Sequence, residues 1–124
     1  MSEILSAAEG HTDADVQATV DAHDKVVLMF SGQTCPPCRK LYPIFNQLAL
    51  STPTIKFAKV DVEEFMQASN DFDIKRMPTF LFYAQGRCVN KIEGGGADLL
   101  TKAVYALAQT QSEESLLDKY AAKK

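Results

Sequence analysis

The sequence predicts an α/β fold in which helices cover a mixed β-sheet. Two observations lead to this class. Segments with the hydrophobic period of a helix alternate with short β-branched and aromatic runs, an order typical of strands joined by crossover helices. At 124 residues, the chain is also long enough for one domain and too short for two.

The first half of the chain contains two predicted helices around a buried strand, after a small strand near Ile4. Thr12 suits the N-cap of a helix that ends near Ala22. The unbroken apolar run 26–30 predicts a central strand, and a second helix starts at residues 35–38, whose prolines fit a first turn. Pro43 is expected to kink this helix without ending it. The core-facing residues of the helix share one face: Leu41, Ile44, Phe45 and Leu48.

The second half continues the alternation and ends in a separate tail. Strands are predicted at 55–61, 79–84 and 87–93, the last two joined by a turn at Gln85 and Gly86, and helices at 64–71 and 97–109. The last helix should bury Leu100, Ala103, Val104 and Leu107. Residues 1–109 are therefore predicted to form the domain. Residues 110–124 form a C-terminal extension, either a short extra helix or a frayed end.

Charge and composition exclude several classes of function. The net charge is −3 and there is no basic block, so neither nucleic acid nor a membrane is an expected partner. Residues 1–24 lack Lys and Arg, unlike a signal or transit peptide, and no apolar run approaches the ~20 residues of a membrane span. Three cysteines make no disulfide framework. The expected location is the cytoplasm, with the mitochondrial matrix as the alternative.

The main chemical signal is the pair Cys35 and Cys38, which follows a buried strand and opens an amphipathic helix. Unpaired N–H groups and the helix dipole would stabilise a thiolate on Cys35. The spacing lets Cys38 attack a mixed disulfide formed on Cys35. The pattern therefore predicts a thiol–disulfide exchange site, with Cys35 as nucleophile and Cys38 as resolving thiol.

Beyond this pair, the sequence from about residue 13 to 109 resembles the thioredoxin family. The resemblance rests on motifs in the family's order: Val27-Leu28-Met29-Phe30-Ser31, Cys35-Pro36-Pro37-Cys38, Pro43, Ala58-Lys59-Val60-Asp61, Met77-Pro78-Thr79-Phe80, Gly86 and Gly94. It implies the thioredoxin fold, a central mixed five-stranded sheet flanked by four helices, with one edge strand near the N-terminus.

The resemblance also implies how the site works. Met77–Pro78 is expected to be a cis peptide against the cysteine pair, with Pro78 shaping the substrate groove. Thr34, Pro36 and Met77 are the expected substrate-binding residues. The implied substrates are protein disulfides, and the electrons come from an upstream reductase or dithiol without a bound cofactor.

Two departures from the family pattern concern partner recognition and proton transfer. Thr34 stands where the family usually has tryptophan, which reduces the apolar contact surface. Met29 stands where the family usually has a buried aspartate, so Lys59 loses its usual partner. The Pro-Pro dipeptide is similar to that of tryparedoxins and nucleoredoxins. We therefore expect an atypical reduction potential or partner range.

These departures keep a second class of function open. The chain is alternatively a non-catalytic holdase chaperone or adaptor, whose cysteines are regulatory or bind a metal or iron–sulfur cluster shared between two chains, because one CxxC supplies only half of a four-ligand site. No metal site within one chain is predicted. Cys88 is interpreted as a bystander that could crosslink two molecules, and neither His11 nor His23 receives a catalytic role.

Overall fold

Residues 2–110, the part of the chain that this computed structural model describes, form a five-stranded sheet with helices on both faces. The strands are β1 (Ser2–Ile4), β2 (Lys25–Ser31), β3 (Lys56–Asp61), β4 (Thr79–Ala84) and β5 (Arg87–Glu93). The helices are α1 (Asp13–Ala22), α2 (Pro36–Ser51), α3 (Met66–Asp71) and α4 (Ala97–Gln109), and a 3₁₀ turn spans Ala7–Glu9.

The sheet has the order β1-β3-β2-β4-β5, so β2 lies at its centre. β2 is parallel to β3 and antiparallel to β4, while β1 pairs in parallel with β3 and β5 pairs antiparallel with β4. The predicted mixed sheet is thus confirmed, with the N-terminal strand at one edge. The C-terminal end of β2 lies beside the start of β4, since Phe30 pairs with Thr79.

The two faces of the sheet bury separate clusters of side chains. From β2, Val27 and Met29 pack on the side of α2 and α4, while Leu28 and Phe30 pack on the side of α1 and α3. This alternation follows from the two-residue period of a strand, and it explains why a central strand reads as an unbroken apolar run. Met29, Cys35 and Cys38 belong to the same cluster, so the cysteine pair sits at the end of the core.

The predicted helix at 64–71 starts about two residues early, since α3 begins at Met66. One carboxylate oxygen of Asp61 accepts the backbone N–H groups of Glu63 and Glu64 at 2.7 and 3.2 Å, and these bonds hold the preceding residues in a turn. The other bounds agree with the prediction to within about two residues. α2 runs unbroken through Pro43, as expected, whereas a kink there remains a prediction.

Some predicted core positions are only half-buried, namely Ile44 on α2 and Ala103 on α4. Except for Thr110, the predicted extension lies outside the described residues, and the division of the chain at residue 109 stays a prediction. None of the helices within residues 2–110 is long and apolar enough to cross a membrane.

Candidate active site

Cys35 and Cys38 form a disulfide at the start of α2, with their Cα atoms 5.3 Å apart. Cys35 is the N-cap residue of the helix, and the first two helical positions are Pro36 and Pro37. Prolines carry no N–H group, so Cys38 supplies the first amide donor of the helix. That N–H donates to the Sγ atom of Cys35 at 3.3 Å. The positive end of α2 is therefore directed at one sulfur.

The two cysteines differ in their access to solvent. Cys35 retains 7% of its accessible surface, whereas Cys38 retains none. Thr34 and Pro36, which flank Cys35, are both exposed. A molecule that approaches the disulfide therefore meets Cys35 first, between two of the residues predicted to bind substrate.

The Met77–Pro78 peptide is cis, as the family resemblance implied. Pro78 is buried and directly precedes β4, at the same end of the sheet as the loop that leads from β2 to Cys35. Its carbonyl oxygen accepts the N–H of Gly94 at 2.7 Å. Met77 is 43% exposed. The structure thus brings Pro78 and Met77 to the edge of the site that carries the cysteines.

Met77 crosses the loop that carries Cys35. Its Sδ atom lies 2.8 Å, and its terminal methyl carbon 3.2 Å, from the position that a Cβ atom on Gly32 would occupy. In the same loop, the carbonyl of Gln33 accepts a hydrogen bond from the guanidinium of Arg39 at 3.2 Å. These contacts tie the loop both to the cis-proline segment and to α2.

On the buried side, Met29 pairs in register with Lys59 of β3, where the family usually has two charged groups. Lys59 has no carboxylate partner among residues 2–110. Its Nζ atom instead lies 4.7 Å from the ring centroid of Tyr42, a cation–π distance. Burial lowers the pKa of the Lys59 amine below its usual 10.5.

Tyr42 and Ser31 are polar residues of this site that the sequence analysis did not single out. The hydroxyl of Tyr42 donates to Oγ of Ser31 at 2.9 Å, and Ser31 is buried at the end of β2. The only signal in the sequence was the position of Tyr42 four residues after Cys38, on the same face of a helix.

The remaining cysteine and the histidines lie elsewhere. Cys88 is an exposed free thiol on the edge strand β5. His11 accepts the N–H of Ser6 through Nδ1 at 2.9 Å, and Nδ1 of His23 lies 3.0 Å from the carbonyl of Thr19, so both rings bind local backbone. Over the described range, no three His, Cys, Asp or Glu side chains come together as a metal ion would need.

A disulfide of closely spaced cysteines at a helix N-terminus, beside a cis-proline loop, defines a class of proteins that exchange thiols and disulfides. The family model named Thioredoxin matches residues 7–106, and the chain belongs to the thioredoxin family. It is a thioredoxin-like thiol–disulfide oxidoreductase, and Cys35 and Cys38 form its disulfide pair. Thioredoxins in general work with a reductase partner.

Similar proteins include the thioredoxin H-type of Picea mariana, 38% identical over 93 residues, which are 75% of this chain and 74% of that protein. Thioredoxin H-type 2 of Nicotiana tabacum is 33% identical over 89 residues, 72% of this chain and 75% of its own. Among solved structures, Fasciola hepatica thioredoxin has a TM-score of 0.75 and 29% identity, covering 84% of this chain and 97% of that one. The oxidised thioredoxin from Plasmodium falciparum shares the fold, with a TM-score of 0.79 at 22% identity over 87% and 99% of the two chains.

Proposed function

We propose that Cys35 is the attacking thiolate and Cys38 the resolving thiol in the reduction of protein disulfides. The assignment of these two roles rests on one combined observation: the two cysteines differ in exposure, and the more exposed one accepts a backbone N–H. Cys35 is the cysteine of the pair that retains accessible surface, and its sulfur receives the first N–H of α2. A negative charge on this sulfur is therefore stabilised where a substrate arrives.

In the first half of the reaction, the Cys35 thiolate bonds to one sulfur of the substrate disulfide, and the other substrate sulfur leaves and takes a proton. In the second half, the Cys38 thiolate bonds to Cys35 and the second substrate sulfur leaves. The cysteine pair is oxidised to the disulfide seen here, and the substrate disulfide is reduced to two thiols. A reductase or dithiol then restores the pair.

Thr34, Pro36, Met77 and Pro78 are proposed to form the groove for an extended substrate segment. Thr34, Pro36 and Met77 are exposed. Pro78 is buried and is held in place at the start of β4, where its carbonyl accepts the N–H of Gly94. Because Thr34 offers less apolar contact area than tryptophan, we expect a partner range that differs from that of a general thioredoxin.

The proposed setting is a reducing compartment, the cytoplasm in preference to the mitochondrial matrix, with no bound cofactor. An exposed free thiol such as Cys88 suits a compartment in which thiols stay reduced. Neither nucleic acid nor a membrane surface is a proposed partner, given the net charge of −3.

Reduction of insulin with dithiothreitol tests the assignment. The wild-type chain should accelerate it, and the Cys35→Ser chain should not exceed the background rate. Cys38→Ser should accumulate a mixed disulfide, whereas Cys88→Ser, the matched control, should behave as wild type. If wild type and Cys35→Ser give the same rate, the enzymatic proposal fails. Suppression of client aggregation by the Cys35→Ser, Cys38→Ser double variant would then favour a chaperone.

A further inference from the structure

One tyrosine connects three elements behind the cysteine pair. From α2, the Tyr42 hydroxyl donates to Ser31 on β2 at 2.9 Å, and its ring lies under the Lys59 amine of β3 at 4.7 Å. Ser31 and Lys59 each have Tyr42 as their side-chain partner among residues 2–110, with no competing carboxylate. The arrangement therefore depends on one residue.

The geometry of α2 places Tyr42 one turn from the resolving thiol. Cys38 and Tyr42 are four residues apart, so they occupy the same helix face one turn from each other. Long helical side chains lean toward the N-terminus of the helix, over the residue four positions earlier, which for Tyr42 is Cys38. Tyr42 packs against the buried cluster that contains Cys38 and Met29. Ser31 follows Met29 by two residues and lies on the same face of β2.

We propose that Tyr42 is a positioning residue for the resolving step, holding the Ser31 hydroxyl and the Lys59 amine beside Cys38 so that they stabilise its thiolate. The inference rests on the proposed function, because it assigns the resolving role to Cys38. In a protein with a carboxylate at position 29, that carboxylate would help Cys38 by accepting its proton. Here the Ser31 hydrogen bond and the positive charge of Lys59 would help instead by stabilising the thiolate.

Each group has the chemistry for this role. Ser31 accepts the hydrogen bond of Tyr42, so its own hydroxyl proton is left to donate to a sulfur anion. The Lys59 amine stands on the face of the sheet where Met29 is its direct neighbour, and a positive charge there favours a thiolate in the apolar cluster. Lys59 is partly buried, which lowers the pKa of its amine, and a charge partly shielded from water interacts more strongly with a nearby anion.

The step itself consumes neither group. The Cys38 thiol gives its proton to solvent, and its thiolate bonds to the Sγ atom of Cys35. The bond between Cys35 and the substrate sulfur breaks, and the substrate leaves as a thiolate that takes a proton from solvent. The electron pair passes from Cys38 to the substrate sulfur, while Ser31 and Lys59 only stabilise the charge on Cys38 before it attacks.

Stopped-flow measurement of mixed-disulfide formation and decay in the full chain, from pH 6 to 9, tests the proposal. Tyr42→Phe keeps the ring under Lys59 and removes the hydroxyl, and Ser31→Ala removes its acceptor. Each should slow decay about fivefold to tenfold near pH 7 and move the pH profile up by as much as about one unit. Tyr42→Leu should slow decay further. The rate of attack by Cys35, read in a Cys38→Ser background, should stay within about twofold of wild type.

Tyr105→Phe, which removes the hydroxyl of an exposed tyrosine on α4, is the matched control and should change nothing. If Tyr42→Phe and Ser31→Ala leave the decay rate and its pH profile unchanged, the role of Tyr42 is overturned while the function of the pair stands. Equal slowing of attack and decay would mark a purely structural residue and also overturn it. If no mixed disulfide forms even in Cys38→Ser, the proposed function and this inference both fail.

Discussion

The Sδ atom of Met77 lies 2.8 Å from the point where a side chain on Gly32 would begin. The contact joins the residue before the cis proline to the loop that delivers Cys35 from the central strand. Because Gly32 has no Cβ atom, Met77 can rest directly on the backbone of that loop. The position of Met77 in the proposed groove therefore depends on the absence of a Cβ atom at residue 32.

Gly32→Ala should displace Met77 and weaken substrate use. The backbone at Gly32 is not in the left-handed region, and the displaced Sδ and methyl group are the last two atoms of a flexible side chain, so the loss in unfolding free energy should stay below about 1 kcal/mol. We expect kcat/KM for insulin reduction to fall about threefold to tenfold. The double variant Gly32→Ala, Met77→Ala removes the clash and is the control. Equal kcat/KM in wild type and Gly32→Ala would show that the position of Met77 does not matter.

Met29→Asp should accelerate release of the mixed disulfide, because a carboxylate can accept the proton of Cys38 where a thioether cannot. Attack by Cys35 should survive. With methionine at position 29, Lys59 lacks the usual carboxylate partner of the family, and in the structure it is the register neighbour of residue 29. An ion pair then offsets part of the burial cost, and stability should fall by about 1 to 3 kcal/mol. Single-turnover decay of the mixed disulfide measures the effect.

Met29→Asn is the matched control for this prediction, since it has the same shape as the aspartate without a proton acceptor. It should destabilise the fold without accelerating decay. An unchanged decay rate and pH dependence in Met29→Asp would mean that the proton of Cys38 leaves by another route, such as directly to water.

Asp13→Ala should loosen the contact between α1 and α3. A carboxylate oxygen of Asp13 accepts the backbone N–H of Ala68 at 2.8 Å, across 55 positions of sequence. Its loss should reduce stability by about 1 to 2 kcal/mol. Hydrogen exchange at the Ala68 amide should become faster. Asp21→Ala, which removes an exposed bond to Gln17 within α1, is the control and should cost less than about 0.5 kcal/mol. Unaltered exchange at Ala68 would contradict the prediction.

Tyr83→Phe should change stability only at alkaline pH. Burial, with a smaller contribution from Cys88, raises the pKa of Tyr83 from 10.0 to about 12. The unfolded chain therefore ionises first, and stability that is complete below pH 10 is lost as the pH rises toward 12. Because the Tyr83 side chain is only partly buried, solvent screens the effect, and we expect a loss on the order of 1 kcal/mol.

Urea denaturation from pH 9 to 12 measures this loss as the difference between wild type and Tyr83→Phe. Tyr105→Phe serves as the exposed control and should follow wild type. Parallel curves for wild type and Tyr83→Phe over the whole range would show that Tyr83 ionises equally well in the folded chain.

The arrangement of strands and helices was predictable because each element carried its own signal. The apolar run of β2 required cover on both faces, and the period of α4 matched its observed bounds at Ala97 and Gln109. The start of α3 was missed for a local reason. The carboxylate of Asp61 accepts two backbone N–H groups and so stabilises a turn before α3. In the sequence, Glu63 and Glu64 are as compatible with the first turn of a helix as with this turn.

The site was predictable only where it lies along one stretch of chain. The spacing of Cys35 and Cys38 indicates that they form a pair. The cis state of Met77–Pro78 could be expected only from the family resemblance. The contact between Ser31 and Tyr42 joins two ordinary residues eleven positions apart, and no pattern marks such a pair. The cation–π contact of Lys59 likewise depends on which helix packs over which strand.

The pairing of β4 with β5 contains a register shift between Phe82 and Tyr83. A shift of this kind twists the outer strand, so the backbone groups that no other strand of residues 2–110 pairs with no longer form the straight row that a foreign strand needs for pairing. β5 also exposes every residue except Ile92, among them Lys91 and Glu93. The other border of the sheet, β1, is only three residues long. The two edge strands, β1 and β5, are thus poor templates for pairing with a second copy of the chain. This should protect the sheet from fibrous aggregation at high concentration.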